Sequence, residues 1–275
     1  MFQIDHYAYS NRLFSVHPGE KMAFAFTTMI ICLALSSVAT SLAVTLLMDG
    51  AVIFYAGVPW RFYLKLMTIP ASFLVISVIT VAVSISATPE GYLFGFTLGR
   101  LSVGINHRDL IVAVQLFLKS LGAVSCLYFL ALTTPVVEII STLRKLRVPA
   151  LFIELMGLIY RFVFVLAETA DKIYTAQSSR LGYKTLKTGY LSLGQLMANL
   201  FTRSYHRSQM LFTTLSARCY TGEIRVLEAE YHVSVRNVII IVILEIMLVA
   251  LGLVVQGLTP DSRFCGGVLV GGIYF

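Results

Sequence analysis

Charge is what this sequence has least of. Asp, Glu, Lys and Arg together make 13 % of its 275 residues, about half the share of a water-soluble domain. Against 57 % hydrophobic residues and a mean hydropathy of +0.82, that scarcity excludes a soluble globule. Paired cysteines are missing too: Cys32, Cys126, Cys219 and Cys265 are scattered and form no CxxC, which argues against a zinc site or a disulfide framework. Absent as well are G-x-x-x-x-G-K-[ST], H-E-x-x-H and G-x-S-x-G, so no phosphate-cradling loop, zincin helix or nucleophile elbow is written in the chain. His6, His17, His107, His206 and His232 never fall at i, i+3 or i, i+4, and no metal site is expected from them. The opening residues 1–21 are polar and hold no apolar core, so no cleaved signal peptide is expected and the first apolar helix serves as the insertion signal.

What the chain has is long apolar runs. Several reach the roughly 20 residues that a helix needs to cross a hydrocarbon core about 30 Å thick, and they lack the alternating polarity of a membrane barrel. The block 22–58 contains one charge, Asp49, and divides into two spans near residues 36–41. A third span covers 66–87, a fourth 111–132 and a fifth 237–255. Residues 88–110, rich in glycine, read as a loop or interfacial segment. The expected class is an all-α membrane protein of about five transmembrane helices, organised as 1–134 (four spans), 135–236 (long helices outside the bilayer) and 237–275 (last span and tail).

The middle segment carries the charge. Thirteen of the 21 Lys and Arg lie between Arg144 and Arg236, which places it in the cytoplasm by the positive-inside rule and, counting back through four spans, the N-terminus as well. Residues 135–148 form an amphipathic surface helix. Pro149 suits the first turn of a second helix running to about Leu181, with Gly182 as its C-cap. A third runs from near Leu191 to about Cys219, with Gly222 beyond it. The two long helices end in an echo, Thr175-Ala-Gln-Ser-Ser-Arg180 and Thr213-Thr-Leu-Ser-Ala-Arg218. A cation at a helix C-terminus offsets the macrodipole by about 0.3–1 kcal/mol. A planar guanidinium at a helix tip, flanked by small residues, also suits bidentate docking into an acidic groove.

With these residues in view, the chain resembles the transmembrane T component of energy-coupling factor transporters, in its cobalt-type (CbiQ-type) branch. The resemblance rests on Ile4-Asp-His-Tyr-Ala-Tyr-Ser-Asn-Arg-Leu13, on His17-Pro-Gly-Glu-Lys21, on the order of spans, and on the two arginine motifs. It covers nearly the whole chain. It implies a non-catalytic scaffold in a prokaryotic cell membrane, without a cofactor, binding two ABC-type ATPase subunits and a membrane-embedded substrate-binding subunit that holds the metal ion. By position, the ATPase-coupling tripeptides are Ser179-Arg180-Leu181 and Ala217-Arg218-Cys219, with Leu181 and Cys219 standing where the family has glycine and Ser179 where it has alanine. The resemblance at the N-terminus implies cobalt rather than nickel or a vitamin as cargo.

Two charges fall inside expected spans, Lys119 and Glu245. Each costs roughly 2.5–3.5 kcal/mol at a span's centre on insertion scales, so both are candidates for contacts with a neighbouring membrane subunit or with each other, unless they snorkel to an interface. A self-sufficient channel or secondary transporter would need inverted repeats and polar residues converging at midplane. A membrane enzyme would need clustered acids or bases, and only dispersed carboxylates such as Glu154, Glu168 and Asp171 are available.

Overall fold

The computed structural model describes residues 2–35, 37–86, 92–98, 101–220 and 234–258. Nine helices account for most of them: α1 (Phe2–Ser10), α2 (Pro18–Ala34), α3 (Val38–Gly50), α4 (Trp60–Ala82), α5 (His107–Thr133), α6 (Val136–Lys145), α7 (Ala150–Ser179), α8 (Leu186–Ala217) and α9 (Val235–Leu258). Two compact units result, one of Met1–Pro135 with Glu230–Phe275 and one of Val136–Ala229.

The first unit is built around α5, which packs against α1, α2, α3 and α4, while α9 lies on α2 and α3. The break expected at residues 36–41 is found: α2 stops at Ala34 and α3 resumes at Val38. The Asp49–Gly50 turn signal does not end α3, whose backbone continues into a widened π turn, Ala51–Tyr55. Asp49 is held there by Tyr63 of α4, whose hydroxyl donates to Oδ1 at 2.6 Å. The chain turns instead at Gly57, at φ 75°, a conformation that costs glycine little. Two other glycines allow close helix approach. A Cβ on Gly122 of α5 would lie 2.9 Å from Cys32 Sγ and 3.3 Å from Thr45 Oγ1, and one on Gly252 of α9 would lie 2.7 Å from Leu35 Cδ1. Small residues at such crossings let dispersion contacts hold apolar helices together.

Among the described residues, five helices are long and apolar enough to cross a membrane: Val38–Tyr55, Trp60–Val81, Leu110–Thr133, Ala150–Ser179 and Val235–Val255. Four match sequence-read spans, but the set differs in two ways. Helix α2 has 17 residues, about 26 Å at 1.5 Å per residue, short of a hydrocarbon core of about 30 Å. Helix α7 qualifies because its first half is as apolar as a span, although the charge pattern assigned it to the middle segment.

The segment read as a loop contains sheet. Strands β1 (Val83–Ser86), β2 (Tyr92–Leu98) and β3 (Leu101–Asn106) form an antiparallel sheet of order β1-β3-β2. Leu98 pairs with Leu101 and Gly95 with Gly104, and Val83 pairs with Ile105. The third span consequently ends at Ala82 rather than residue 87. Its glycines argued correctly against a crossing helix, but the Tyr, Phe, Thr, Val and Ile between them favour extended backbone.

The second unit is helical. Helix α7 packs against α6 and α8, and α7 and α8 form an antiparallel hairpin. At one end Gln177 Nε2 donates to Ser192 O at 2.9 Å; at the other Tyr220 Oη bonds to Glu154. Helix α8 begins at Leu186, earlier than expected, because Thr185 and Thr188 make a capping box that satisfies two otherwise unpaired groups. Gly222 and the tail after Leu258 lie outside the described residues.

Candidate functional site

Each sequence-read arginine is the residue on which its helix closes. Arg180 caps α7 at φ −95°, ψ 17° and Arg218 caps α8 at φ −96°, ψ 19°. The residue after each is left-handed, Leu181 at φ 60° and Cys219 at φ 56°. Leu181 N donates to Ser178 O at 3.0 Å and Gly182 N to Gln177 O at 2.9 Å; Cys219 N donates to Ser216 O and Tyr220 N to Leu215 O, both at 3.1 Å. These are two Schellman motifs. Pairing of the last-turn carbonyls holds the backbone under each arginine in one conformation. Gly182 is the second helix-end position rather than the cap, and its lack of a side chain matters for space: a Cβ there would lie 2.7 Å from Ser192 Oγ.

Arg180 and Arg218 are exposed, and neither makes a side-chain hydrogen bond or ion pair among the described residues. Ser179 folds back, its hydroxyl donating to Thr175 O at 2.9 Å, and Ala217 adds no bulk, so the space beside each guanidinium stays open. Because the hairpin is antiparallel, the two helix ends point in opposite directions. Arg180 precedes α8 and Arg218 follows it, so the 32 residues of α8 separate them by about 48 Å at 1.5 Å per residue. The left-handed φ also explains why glycine suits the third position: a side chain there costs about 1–2 kcal/mol. Arg147, after α6, is left-handed as well, and with Leu181 and Cys219 it completes the non-glycine residues with positive φ among those described.

The intramembrane charges are placed differently. Glu245 of α9 bonds to the Thr27 hydroxyl of α2, an intramolecular partner that the sequence did not reveal. Lys119 is half-buried in α5, and its carbonyl lies 3.8 Å from Cys32 Sγ. Lys119 and Glu245 sit on different helices, and the structure does not bring them together as a pair. Among the described residues no three His, Cys, Asp or Glu side chains converge as a metal site.

The His17–Lys21 motif turns out to organise the first unit. Gly19 N donates to His17 Nδ1 at 3.0 Å with Pro18 opening α2. Glu20 accepts from Ser234 N at 2.9 Å and from Asn237 Nδ2 at 3.3 Å, placing an anion at the N-terminus of α9. Lys21 Nζ donates to Thr133 O at 3.1 Å, placing a cation at the C-terminus of α5, and Asn11 Nδ2 reaches the same carbonyl at 3.2 Å. Both charges complement the helix dipoles. Both are buried, with 7 % and 3 % of their surface exposed, so the desolvation cost of each must be offset by these partners.

Comparison with known proteins decides the family. The family model described as Cobalt transport protein, CbiQ, matches residues 10–228. The chain belongs to the CbiQ family. A Cobalt transport protein CbiQ from Salmonella typhimurium is 33 % identical over 81 % of this chain and 99 % of its own length. An uncharacterised protein of Methanocaldococcus jannaschii is 34 % identical over 94 % of this chain and 96 % of its own length. An energy-coupling factor transporter transmembrane protein, EcfT, from Ruminiclostridium cellulolyticum is 28 % identical over 76 % of this chain. This CbiQ-family protein is thus a membrane component of a transporter, and the arginine motifs at 179–181 and 217–219 fall within the matched region.

Proposed function

We propose that this CbiQ-family chain is the transmembrane coupling subunit of an energy-coupling factor uptake transporter for cobalt ions in a prokaryotic cell membrane, with its N-terminus cytoplasmic. The observation that carries the reading is the pair of exposed arginines in matching Schellman caps at opposite ends of one helical hairpin. Two widely separated contacts of matching backbone form suit two copies of one kind of partner. Each arginine enters the acidic groove of one ABC-type ATPase subunit, and Ser179, Leu181, Ala217 and Cys219 form the rims of those contacts. When the ATPases close and open, movement at either cap is transmitted along α7 and α8. The first unit, with Lys119 and Glu245, faces the bilayer and a membrane-embedded substrate-binding subunit. Cobalt as cargo is supported by the family description and the Salmonella relative's name; nickel is the alternative.

The test is cobalt uptake by the assembled transporter carrying Arg180→Ala with Arg218→Ala. Truncating a buried, hydrogen-bonded charge contact costs about 2–5 kcal/mol. Uptake and ATPase retention are both expected to be lost. Normal uptake by the double variant would refute the reading.

A further inference from the structure

Midway along the α7–α8 hairpin the two helices enclose a groove of about 600 Å³, with Arg161 on one wall and Arg203, His206 and Arg207 on the other. Arg203 and Arg207 are four residues apart on α8 and lie on one face. No Asp or Glu lines the groove; Glu168 of α7 is paired with Lys172 at 2.7 Å and also feels the charge of Arg207. None of the three arginines makes a hydrogen bond or ion pair among the described residues. Three arginines around one space carry more positive charge than that single carboxylate balances, and their planar forks match phosphate oxygens bidentately.

The rest of the lining is apolar, with Leu158, Phe162, Leu166 and Met210 extending away from the cations. A free inorganic anion would use the arginines but would leave this floor bare. The first half of the α7 wall is also as apolar as a membrane span, which suits contact with an acyl chain rather than with water. The volume falls within the roughly 300–1,000 Å³ of small-ligand sites, and basic pockets between helices near a membrane face suit anionic headgroups. We propose that this groove binds an anionic phospholipid, its phosphodiester held by Arg161, Arg203 and Arg207 and the start of an acyl chain lying on Leu158, Phe162, Leu166 and Met210. The site is separate from the two helix-end arginines and does not depend on the role given to them.

Native mass spectrometry of the full chain, titrated in detergent with phosphatidylglycerol or phosphatidylcholine, tests the proposal. The wild-type chain is expected to retain one phosphatidylglycerol under activation that strips phosphatidylcholine. Arg203→Gln with Arg207→Gln, both at exposed positions, should lower that retention at least about tenfold, since two charged contacts are removed. Arg203→Lys with Arg207→Lys keeps the charge without the forks and should fall between the two. Lys184→Gln with Lys187→Gln, basic positions outside the groove, should match wild type. Equal retention of both lipids, or undiminished phosphatidylglycerol on the Arg203→Gln, Arg207→Gln variant, would overturn the proposal. So would displacement of the lipid by excess inorganic phosphate, which would point to a small anion, or by polyglutamate, which would point to an acidic protein segment.

Discussion

Leu181 occupies a backbone conformation that glycine adopts more cheaply, so Leu181→Gly should tighten the turn that carries Arg180. Leucine at φ 60° bears a left-handed cost of about 1–2 kcal/mol. Glycine removes that cost but gains unfolded-state freedom of about 0.5–1 kcal/mol. The side chain is 65 % exposed, so little burial is lost to reverse the sign. The net gain is about 0.5–1 kcal/mol, which corresponds to roughly a two- to fivefold change in the local opening equilibrium. Hydrogen exchange at the Leu181 and Gly182 amides, which bond to Ser178 O and Gln177 O, reads that equilibrium directly. Exchange should slow by this factor in Leu181→Gly and accelerate in Leu181→Val, because β-branching makes a left-handed residue a genuine outlier. Unchanged or faster exchange in the glycine variant would refute the assignment of strain to this position. Cys219, at φ 56° and exposed, should respond in the same direction.

Three further outcomes follow from the first unit. Lys21→Met removes the cation from Thr133 O and should cost about 1.5–3 kcal/mol, seen as a thermal midpoint several degrees lower in detergent. Gly122→Ala forces a Cβ to within 2.9 Å of Cys32 Sγ. An overpacking cost of about 1–3 kcal/mol is expected, and Cys32→Ala in the same chain should recover part of it; no recovery would show that the crowding lies elsewhere. Thr27→Val leaves Glu245 without its hydroxyl donor from α2 and should lower the thermal midpoint more than Thr68→Val, whose exposed hydroxyl bonds only within its own helix.

Apolar run length gave the helices, since a stretch such as 111–132 with one lysine has few ways to fold other than as a spanning helix. The echo at Arg180 and Arg218 located the two helix ends because small polar residues and a cation are favoured there by local chemistry alone. The left-handed residues stayed hidden, as neither leucine nor cysteine advertises positive φ. Residues 92–98 and 101–106, within the 88–110 stretch taken as a loop, were misread because a glycine-rich aromatic segment satisfies loop and strand patterns alike, and only pairing partners distinguish them. The start of α8 was placed late because Thr185 and Thr188 form a capping box through hydroxyls rather than through the Glu or Gln of the usual signature. The roles of Glu20 and Lys21 depend on Ser234 and Thr133, more than a hundred residues away, and no local pattern encodes such a contact. The groove of Arg161, Arg203 and Arg207 was read only as positive charge, because the antiparallel pairing of α7 and α8 brings its two walls together.

On the proposed function, each helix-end arginine holds one ATPase subunit. Co-purification of the chain with its ATPase subunits, comparing wild type with Arg180→Glu and Arg218→Glu, tests it most directly. Wild type is expected to retain the ATPases, and each reversal to weaken retention on the order of thirtyfold or more, from a lost contact of at least about 2 kcal/mol. Retention of the ATPases at wild-type strength by both charge-reversed chains would contradict it.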